Sequence, residues 1–164
     1  MRVELESYLK KKFPNLYTDC GEQQPFTQFG FECDDGWFRL ILWLSRYLQD
    51  YIDQQNKWAE KYPDQYLPVK QIKVAQVKEK FATLRFYTNG GNERTEAIIT
   101  FAEYMSGYIC ERSGRTDDIV VNSNGWNKTQ HISFVKEKDN IHYVDDPELR
   151  SILKGDLNQF KLNI

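Results

Sequence analysis

The sequence predicts an α+β fold: two main amphipathic helices packed on antiparallel β-hairpins, with a short C-terminal helix. Three observations indicate this class. Two segments carry apolar residues at three- and four-residue spacing, two runs alternate apolar and polar residues, and turn-forming residues separate short apolar runs after residue 110. A chain of 164 residues fits a single domain over 1–164, with a β-rich subdomain over 111–145 as the alternative.

The N-terminal segment predicts one short helix followed by a loop. The apolar face of this helix comprises Val3, Leu5, Leu9 and Phe13. Pro14 closes it, because proline cannot donate to the helix ladder. Residues 14–30 mix Pro, Gly, Asn, Gln and Thr without periodicity, so we expect an extended loop packed by its aromatic side chains.

A long apolar helix is the predicted centre of the core. Asp34 or Asp35 is expected to cap it, and it should end near Lys61 because Pro63 disfavours helical geometry at the residue before it. Its periodic apolar residues are Trp37, Leu40, Ile41, Leu44, Leu48, Tyr51 and Ile52. Phe38, Leu42 and Trp43 widen this surface, which predicts a helix covered on two sides.

The alternating pattern after Pro68 predicts a hairpin. Ile72 and Val74 share one face of its first strand, and Leu84 and Phe86 share one face of the second. The polar segment Lys78–Lys80 is the predicted turn. Residues 89–92, Asn-Gly-Gly-Asn, should end the hairpin.

The second half begins with a helix and continues as strands. Asn92 is expected to cap a helix that runs to about Cys110. The predicted strands are Ile119–Val121, Ile132–Val135 and Ile141–Val144, with a two-residue turn at Asn124-Gly125 between the first two. A capping box from Asp145 to Glu148, or Asp146 with Pro147 behind it, starts a C-terminal helix that ends near Gly155.

Composition narrows the class of protein. Lys and Arg total 22 and Asp and Glu total 24, so the chain lacks the basic excess of a dedicated duplex-DNA binder. No apolar run is long enough for a transmembrane helix, and the first residues lack the apolar region of a signal peptide. Three widely spaced cysteines are unlike a secreted disulfide framework. We therefore predict a cytoplasmic protein.

Two stretches carry a family resemblance. The first is Phe31-Glu32-Cys33-Asp34-Asp35-Gly36-Trp37, and the second runs from Gln76 to Tyr87 and includes Val-Lys-Glu-Lys-Phe-Ala-Thr-Leu-Arg-Phe-Tyr. With Gly90-Gly91 and the stretch 110–114, they resemble a family of small uncharacterised proteins of bacteriophages and bacterial chromosomes, many in prophages. That family shows Cys-Gly-Asp-Gly-Trp and Val-Lys-Glu-Lys-Phe-Gly-Gly-Leu-Arg-Phe-Tyr motifs. The resemblance implies a phage context and carries no activity.

The same resemblance implies a zinc knuckle that is degenerate in this chain. Where the family has a Cys-x-x-Cys pair, this sequence has Cys110 and Ser113, and the later pair is reduced to His131. Two ligands do not make a tetrahedral structural site. We therefore predict no metal and no cofactor, with Cys110 and His131 as weak candidates that Cys20 or Cys33 could join from a distance.

A polar cluster is the candidate ligand site. Its residues are Glu32, Asp35, Lys78, Lys80 and Arg85, with Glu79 among them. Cations of this kind bind a phosphate while carboxylates orient the ligand. The alternative is a structural latch in which Asp35 caps a helix and the lysines form a solvated turn. The sequence leaves both interpretations open.

The patterns of nucleophilic catalysis are weak. Cys33 lies beside two aspartates, which disfavour its thiolate, and neither His131 nor His142 sits in a triad pattern. We favour a non-enzymatic phage or mobile-element accessory protein that binds a protein partner, such as a component of a host defence system. Aromatic residues outside the periodic faces are candidates for the partner surface: Tyr17, Phe26, Phe29, Trp58, Tyr62 and Tyr66.

Two other functions stay open. One is a nucleotide- or phosphate-binding enzyme or sensor that uses Glu32, Asp35, Lys78 and Arg85. The other is nucleic-acid binding through Lys10, Lys11, Lys12, Lys78 and Lys80.

Overall fold

The computed structural model describes residues 1–18, 25–145, 147, 149 and 150, and it confirms the α+β class. Within these residues the helices are α1 (Val3–Lys12), α2 (Pro14–Tyr17), α3 (Pro25–Phe29), α4 (Phe38–Lys61) and α5 (Glu93–Ser106). The strands are β1 (Phe31–Glu32), β2 (Lys70–Lys80), β3 (Thr83–Gly91), β4 (Ile119–Asn122), β5 (Lys128–His131) and β6 (Ile141–Tyr143). Short 3₁₀ turns span Asp35–Trp37 and Ile132–Phe134.

The strands form two three-stranded sheets. In the first, β2 lies between β1 and β3, pairing parallel with β1 and antiparallel with β3. In the second, β4 lies between β5 and β6 and pairs antiparallel with both. The predicted hairpin is confirmed as β2–β3, and the parallel strand β1 was not predicted because two residues carry no periodic signal.

The core lies between α4 and the inner face of the first sheet. From α4 it takes Ile41, Leu44, Leu48 and Ile52, and from the sheet Ile72, Val74, Val77, Leu84 and Phe86, all of them buried. The three- and four-residue spacing on α4 and the alternation on the strands place these side chains on facing surfaces. Burial of this apolar area is the main stabilising term of the fold.

The segment after α1 differs from the predicted extended loop. Its described parts form the short helices α2 and α3, and Pro14 occupies the first turn of α2, where a missing N–H costs nothing. Tyr17, Phe26 and Phe31 pack together with ring centroids 5.1–5.3 Å apart. This aromatic cluster fixes the approach of β1 to the sheet.

Neither aspartate caps α4, so this prediction was wrong. The 3₁₀ turn Asp35–Trp37 precedes the helix, and no side-chain capping bond is present at either start. The Asp35 carboxylate instead accepts hydrogen bonds from the backbone N–H and the guanidinium of Arg2. The predicted end of the helix near Lys61 is confirmed.

The turn of the β2–β3 hairpin directly follows the three residues that were predicted to form it. Lys78–Lys80 belongs to β2, and the two turn residues are Phe81 and Ala82. Both have positive φ, 54° and 63°, as a two-residue primed turn requires. The family motif that this stretch resembles has glycine at the position of Ala82, which suits that backbone.

Helix α5 begins after Asn92, as predicted, and ends before its predicted last residue. The Asn92 side chain accepts a hydrogen bond from the Thr95 N–H at 3.2 Å, and the Thr95 hydroxyl accepts from the Asn92 N–H at 2.8 Å. The helix ends at Ser106 rather than near Cys110. The Ser106 hydroxyl donates to the Glu103 carbonyl and accepts from the Leu84 N–H, which ties the helix end to β3.

The second sheet corrects two predictions. Five residues, 123–127, connect β4 to β5 where a two-residue turn was expected, because Asp139 holds the side chains of Asn122 and Asn124 at 2.7 Å each. The strand runs through Lys128–His131, and the predicted strand over Ile132–Val135 starts as a 3₁₀ turn. The strand near residue 141 is confirmed as β6. The predicted C-terminal helix falls largely outside the described residues.

The second sheet contacts the tip of the first. The buried Thr129 of β5 donates its hydroxyl to the Ala82 carbonyl at 2.5 Å, and Trp126 donates its indole N–H to Glu79. These two hydrogen bonds attach the hairpin tip to β5 and to the β4–β5 connection. No helix among the described residues has the length and apolar character needed to cross a bilayer.

Candidate functional site

A polar cavity of about 580 Å³ opens where β1 ends, and we call it the β1-end cavity. Strand β1 pairs with β2 only as far as Lys78, so on that side Glu79 and Lys80 have no neighbouring strand among the described residues. The residues that give the cavity its chemistry are Glu32, Lys78, Lys80, Glu111, Trp126 and Lys128.

The structure brings three of the five predicted site residues into this cavity. Glu32 and Lys78 are register partners across β1 and β2, and Lys80 follows on the same strand face. The Glu32 carboxylate also accepts a hydrogen bond from Gln76 at 2.9 Å. Strand pairing therefore places these side chains around the same cavity.

The other two predicted residues point elsewhere. Arg85 is the register partner of Lys78 on β3, but its guanidinium donates to the Thr83 hydroxyl at 2.6 Å and to the Leu84 carbonyl at 2.7 Å. The backbone N–H of Arg2 lowers the pKa of Asp35, and the Arg2 guanidinium adds to this effect. Asp35 and Arg85 thus stabilise local structure.

Glu111 is the cavity residue that the sequence did not single out. Its side chain is buried, with 3% of the residue exposed, and its Oε1 accepts the Asp34 N–H at 3.1 Å. Its Oε2 is buried and has no hydrogen-bond partner among the described residues. Burial raises the pKa of this carboxyl, an effect that the Asp34 N–H and Lys128 partly oppose. A buried carboxylate oxygen without a hydrogen-bond partner lowers the stability of the fold.

Trp126 and Glu79 form the edge of the cavity next to the hairpin tip. Glu79 accepts the Ala82 N–H at 2.7 Å through Oε1 and the Trp126 indole N–H through Oε2. Trp126 is still 66% exposed, so an aromatic face borders the cavity.

The stretches that carry the family resemblance contact each other beside this cavity. The Gly36 N–H donates to the Glu111 carbonyl at 2.7 Å, and the Trp37 indole N–H donates to the Ile109 carbonyl at 2.9 Å. A Cβ on Gly36 would lie 2.1 Å from the Cys110 carbonyl oxygen, so only glycine fits. The turn at Cys110 therefore packs directly on the start of α4.

One of the two weak metal candidates, His131, lies beside a network of ion pairs. Among the described residues, one group of three has ligand atoms within 4.8 Å of one another, Asp117, Asp118 and His131, and it does not include Cys110. Arg115 binds the Asp117 carboxylate and lowers its pKa to about 2. His131 accepts the Ser133 N–H through Nδ1 at 3.1 Å. These carboxylates already have a cationic partner.

Cys33 has the environment of a structural thiol. It is 6% exposed, and burial raises its pKa to about 12, with Glu111 and Asp34 acting in the same direction. A thiol that stays protonated at neutral pH is a poor nucleophile. The neighbouring aspartates were predicted to disfavour the thiolate, and both add to the rise in its pKa.

An apolar groove runs between α4 and α5 on another part of the surface, and we call it the α4–α5 groove. Its volume is about 430 Å³, and its apolar lining includes Leu40, Trp43, Leu44, Ile98, Phe101 and Met105. Trp43 is 58% exposed and Phe101 is 60% exposed. The prediction that α4 is covered on two sides holds for Phe38 and Leu42, which pack against the core, and fails for Trp43, which is exposed.

Arginines flank the α4–α5 groove. Arg46 lies over the Trp43 ring, 4.9 Å from its centroid, and Arg94 donates to the Tyr47 hydroxyl at 3.0 Å. Asp50 is the one carboxylate that lines it in the described part of the chain. The aromatic residues predicted for a partner surface lie outside this groove, and Tyr17 and Phe26 are buried.

Comparisons with known proteins leave the site to be interpreted from its chemistry. No protein-family model, curated protein or solved structure matches this chain. The motif resemblance to phage-encoded proteins therefore stays a prediction.

Proposed function

We propose that this protein is a phage or mobile-element accessory protein that binds a protein partner through the α4–α5 groove. The observation that carries the proposal is the pair of large aromatic side chains, Trp43 and Phe101, which are more than half exposed along one apolar groove. A large exposed apolar surface bordered by charges is typical of a binding site for another macromolecule.

The occupant that fits this groove is an amphipathic helix of the partner. Two helices that lie side by side leave a hydrophobic channel into which the apolar face of a third helix packs. Leu40, Trp43 and Tyr47 repeat at three- and four-residue intervals on α4, and Ile98, Phe101 and Met105 do so on α5. Aromatic residues at such positions are the usual anchors of binding energy.

The charges around the groove favour an acidic helix. Arg46 and Arg94 lie beside the aromatic residues of the groove, with Asp50 as the one lining carboxylate described. Glutamates that flank the apolar face of a partner helix would pair with these guanidinium groups. Such complementarity selects the partner and its orientation more than it adds affinity.

The motif resemblance supports the biological setting of the proposal. The setting we propose is the cytoplasm of the host cell, and the role we assign to the contact is inhibition of a host defence system. A non-enzymatic inhibitor needs a binding surface and no catalytic group, which suits the protonated Cys33 thiol.

The test uses two designed helical peptides with one apolar face. One carries glutamates beside that face and the other carries lysines, and binding is measured by fluorescence anisotropy. We expect the acidic peptide to bind more tightly. Phe101→Ser should weaken that binding about tenfold or more, as for a hot-spot residue. Phe29→Ser is the matched control, because Phe29 is 63% exposed and lies outside the groove.

Three outcomes would overturn the proposal. The peptides could bind equally well, or Phe101→Ser could leave binding unchanged. The wild-type chain could also be a dimer that Phe101→Ser converts to a monomer, which would assign the groove to a second copy of this chain. Light scattering on the same samples distinguishes this last case.

A further inference from the structure

We propose that the β1-end cavity binds a nucleoside monophosphate whose base carries an exocyclic amino group. The amino group would donate to Glu111, the base would stack on Trp126, and the phosphate would pair with Lys78 and Lys80. The proposal is independent of the α4–α5 groove, which shares none of these residues.

Glu111 supplies the recognition group. Its Oε1 is already occupied by the Asp34 N–H, and its Oε2 has no partner among the described residues. A ligand N–H would satisfy this oxygen in a site from which water is largely excluded, where such bonds are strong. Carboxylates recognise the exocyclic amino groups of bases in this way.

The lysines supply the phosphate-binding group. Within the part of the chain that the structure describes, neither Lys78 nor Lys80 takes part in an ion pair. Both line the cavity from the same face of β2, and the Lys78 ammonium lies 5.7 Å from the centre of the Tyr87 ring. Lys128 is also a lining residue, and its ammonium is 3.9 Å from Asp34. Ammonium groups on one strand face without a carboxylate partner attract an anion.

Trp126 supplies the stacking surface. The residue is 66% exposed at the border of the cavity, while Glu111 Oε2 is shielded from solvent. A base therefore reaches that oxygen after a lining side chain shifts. Nucleic-acid bases of any sequence stack favourably on aromatic side chains.

The size and lining of the cavity also fit this class of ligand. A volume of about 580 Å³ lies within the roughly 300–1,000 Å³ range of small-molecule sites. Its carboxylate and ammonium groups would disfavour a wholly apolar ligand, because burying them without partners is costly. A ligand with an amino donor at one end and an anion at the other uses both.

The experiment compares nucleotides that differ in one group. CMP and UMP differ at the base C4 substituent, an amino donor against a carbonyl acceptor, and AMP and IMP differ in the same way at C6. Binding is measured by calorimetry and by the NMR shift of the Trp126 indole N–H. We expect the amino member of at least one pair to bind at least tenfold more tightly than its partner.

Variants assign the contacts. Glu111→Gln keeps the shape but turns the free oxygen into an N–H donor, so it should reverse the preference within the pair. Lys78→Gln should weaken both members of a pair, whereas Lys70→Gln, an exposed residue of the same strand outside the cavity, should not.

The overturning results are equally definite. Equal affinity within both pairs, or no binding of any nucleotide at millimolar concentration, would refute the proposal. So would an unchanged preference in a folded Glu111→Gln protein. If Glu111→Gln does not fold, the proposal is decided by the nucleotide preference of the wild-type protein together with the affinities of Lys78→Gln and Lys70→Gln.

Discussion

Replacing Gly36 with alanine tests how the start of α4 is joined to the turn at Cys110. The added Cβ would lie 2.1 Å from the Cys110 carbonyl oxygen and 2.5 Å from both the Glu111 oxygen and the Gly114 nitrogen. All three are backbone atoms, so no side chain can rotate away and the two segments must separate. Such overpacking costs about 1–3 kcal/mol. Loss of the Gly36 N–H bond to the Glu111 carbonyl adds about 1 kcal/mol.

We therefore expect Gly36→Ala to lower the free energy of unfolding by about 2–4 kcal/mol. Urea unfolding followed by circular dichroism measures this difference. Gly107→Ala is the matched control, because Gly107 has φ −66° and its added Cβ would meet its nearest atoms at 3.4 and 3.5 Å. That variant should match wild type or gain up to about 1 kcal/mol. A Gly36→Ala protein as stable as this control would refute the reasoning.

Three further predictions concern the hairpin turn, the buried carboxyl and metal dependence. Phe81→Asn should raise the thermal midpoint, because Phe81 has φ 54° and is 70% exposed, and asparagine tolerates this backbone better; Phe81→Val should lower it, and the reverse order would contradict the turn assignment. Burial raises the pKa of Glu111, so wild type loses stability as pH rises above the ordinary carboxyl range. The stability of Glu111→Gln relative to wild type should therefore increase from pH 4 to pH 8 in thermal melts, and a pH-independent difference would count against this burial. Finally, a chelator should leave the thermal midpoint unchanged, whereas stoichiometric zinc with unfolding on chelation would show that a metal holds the turn at Cys110.

The periodic elements of this fold could be predicted from the sequence. The apolar spacing of α4 and the alternation of β2 and β3 record which side chains face the core, so these elements appear close to their predicted places. The helix cap at Asn92 could be predicted because it depends on a local contact, between Asn92 and Thr95 three positions later.

The turns were harder to place for a physical reason. Lys78–Lys80 is polar and resembles a connection, yet it continues a strand whose outer face is solvated. The true turn at Phe81 and Ala82 lacks the glycine or asparagine that normally marks positive φ. Composition and backbone conformation disagree at this point, and the backbone is set by strand pairing.

The candidate site was predicted only in part, because its chemistry depends on distant contacts. Pairing between β1 and β2 places Glu32 beside Lys78. These residues could be grouped from the sequence because the two stretches that contain them were considered together. Glu111 is buried by a segment 77 residues away, and no local pattern records that contact. The sequence placed Trp43 on the apolar surface of α4. Periodic spacing does not show whether another element of the chain covers such a surface or leaves it exposed.

The contact between Thr129 and the Ala82 carbonyl has a consequence for how the chain opens. Since the β5 residue and the hairpin tip share a buried hydrogen bond of 2.5 Å, the β2–β3 tip cannot separate without also disturbing β5. Amide protons at the tip and in β5 should then exchange with deuterium at similar rates, as members of one cooperative unit. A hairpin that would fray first in isolation is thus expected to be among the slowest regions to exchange.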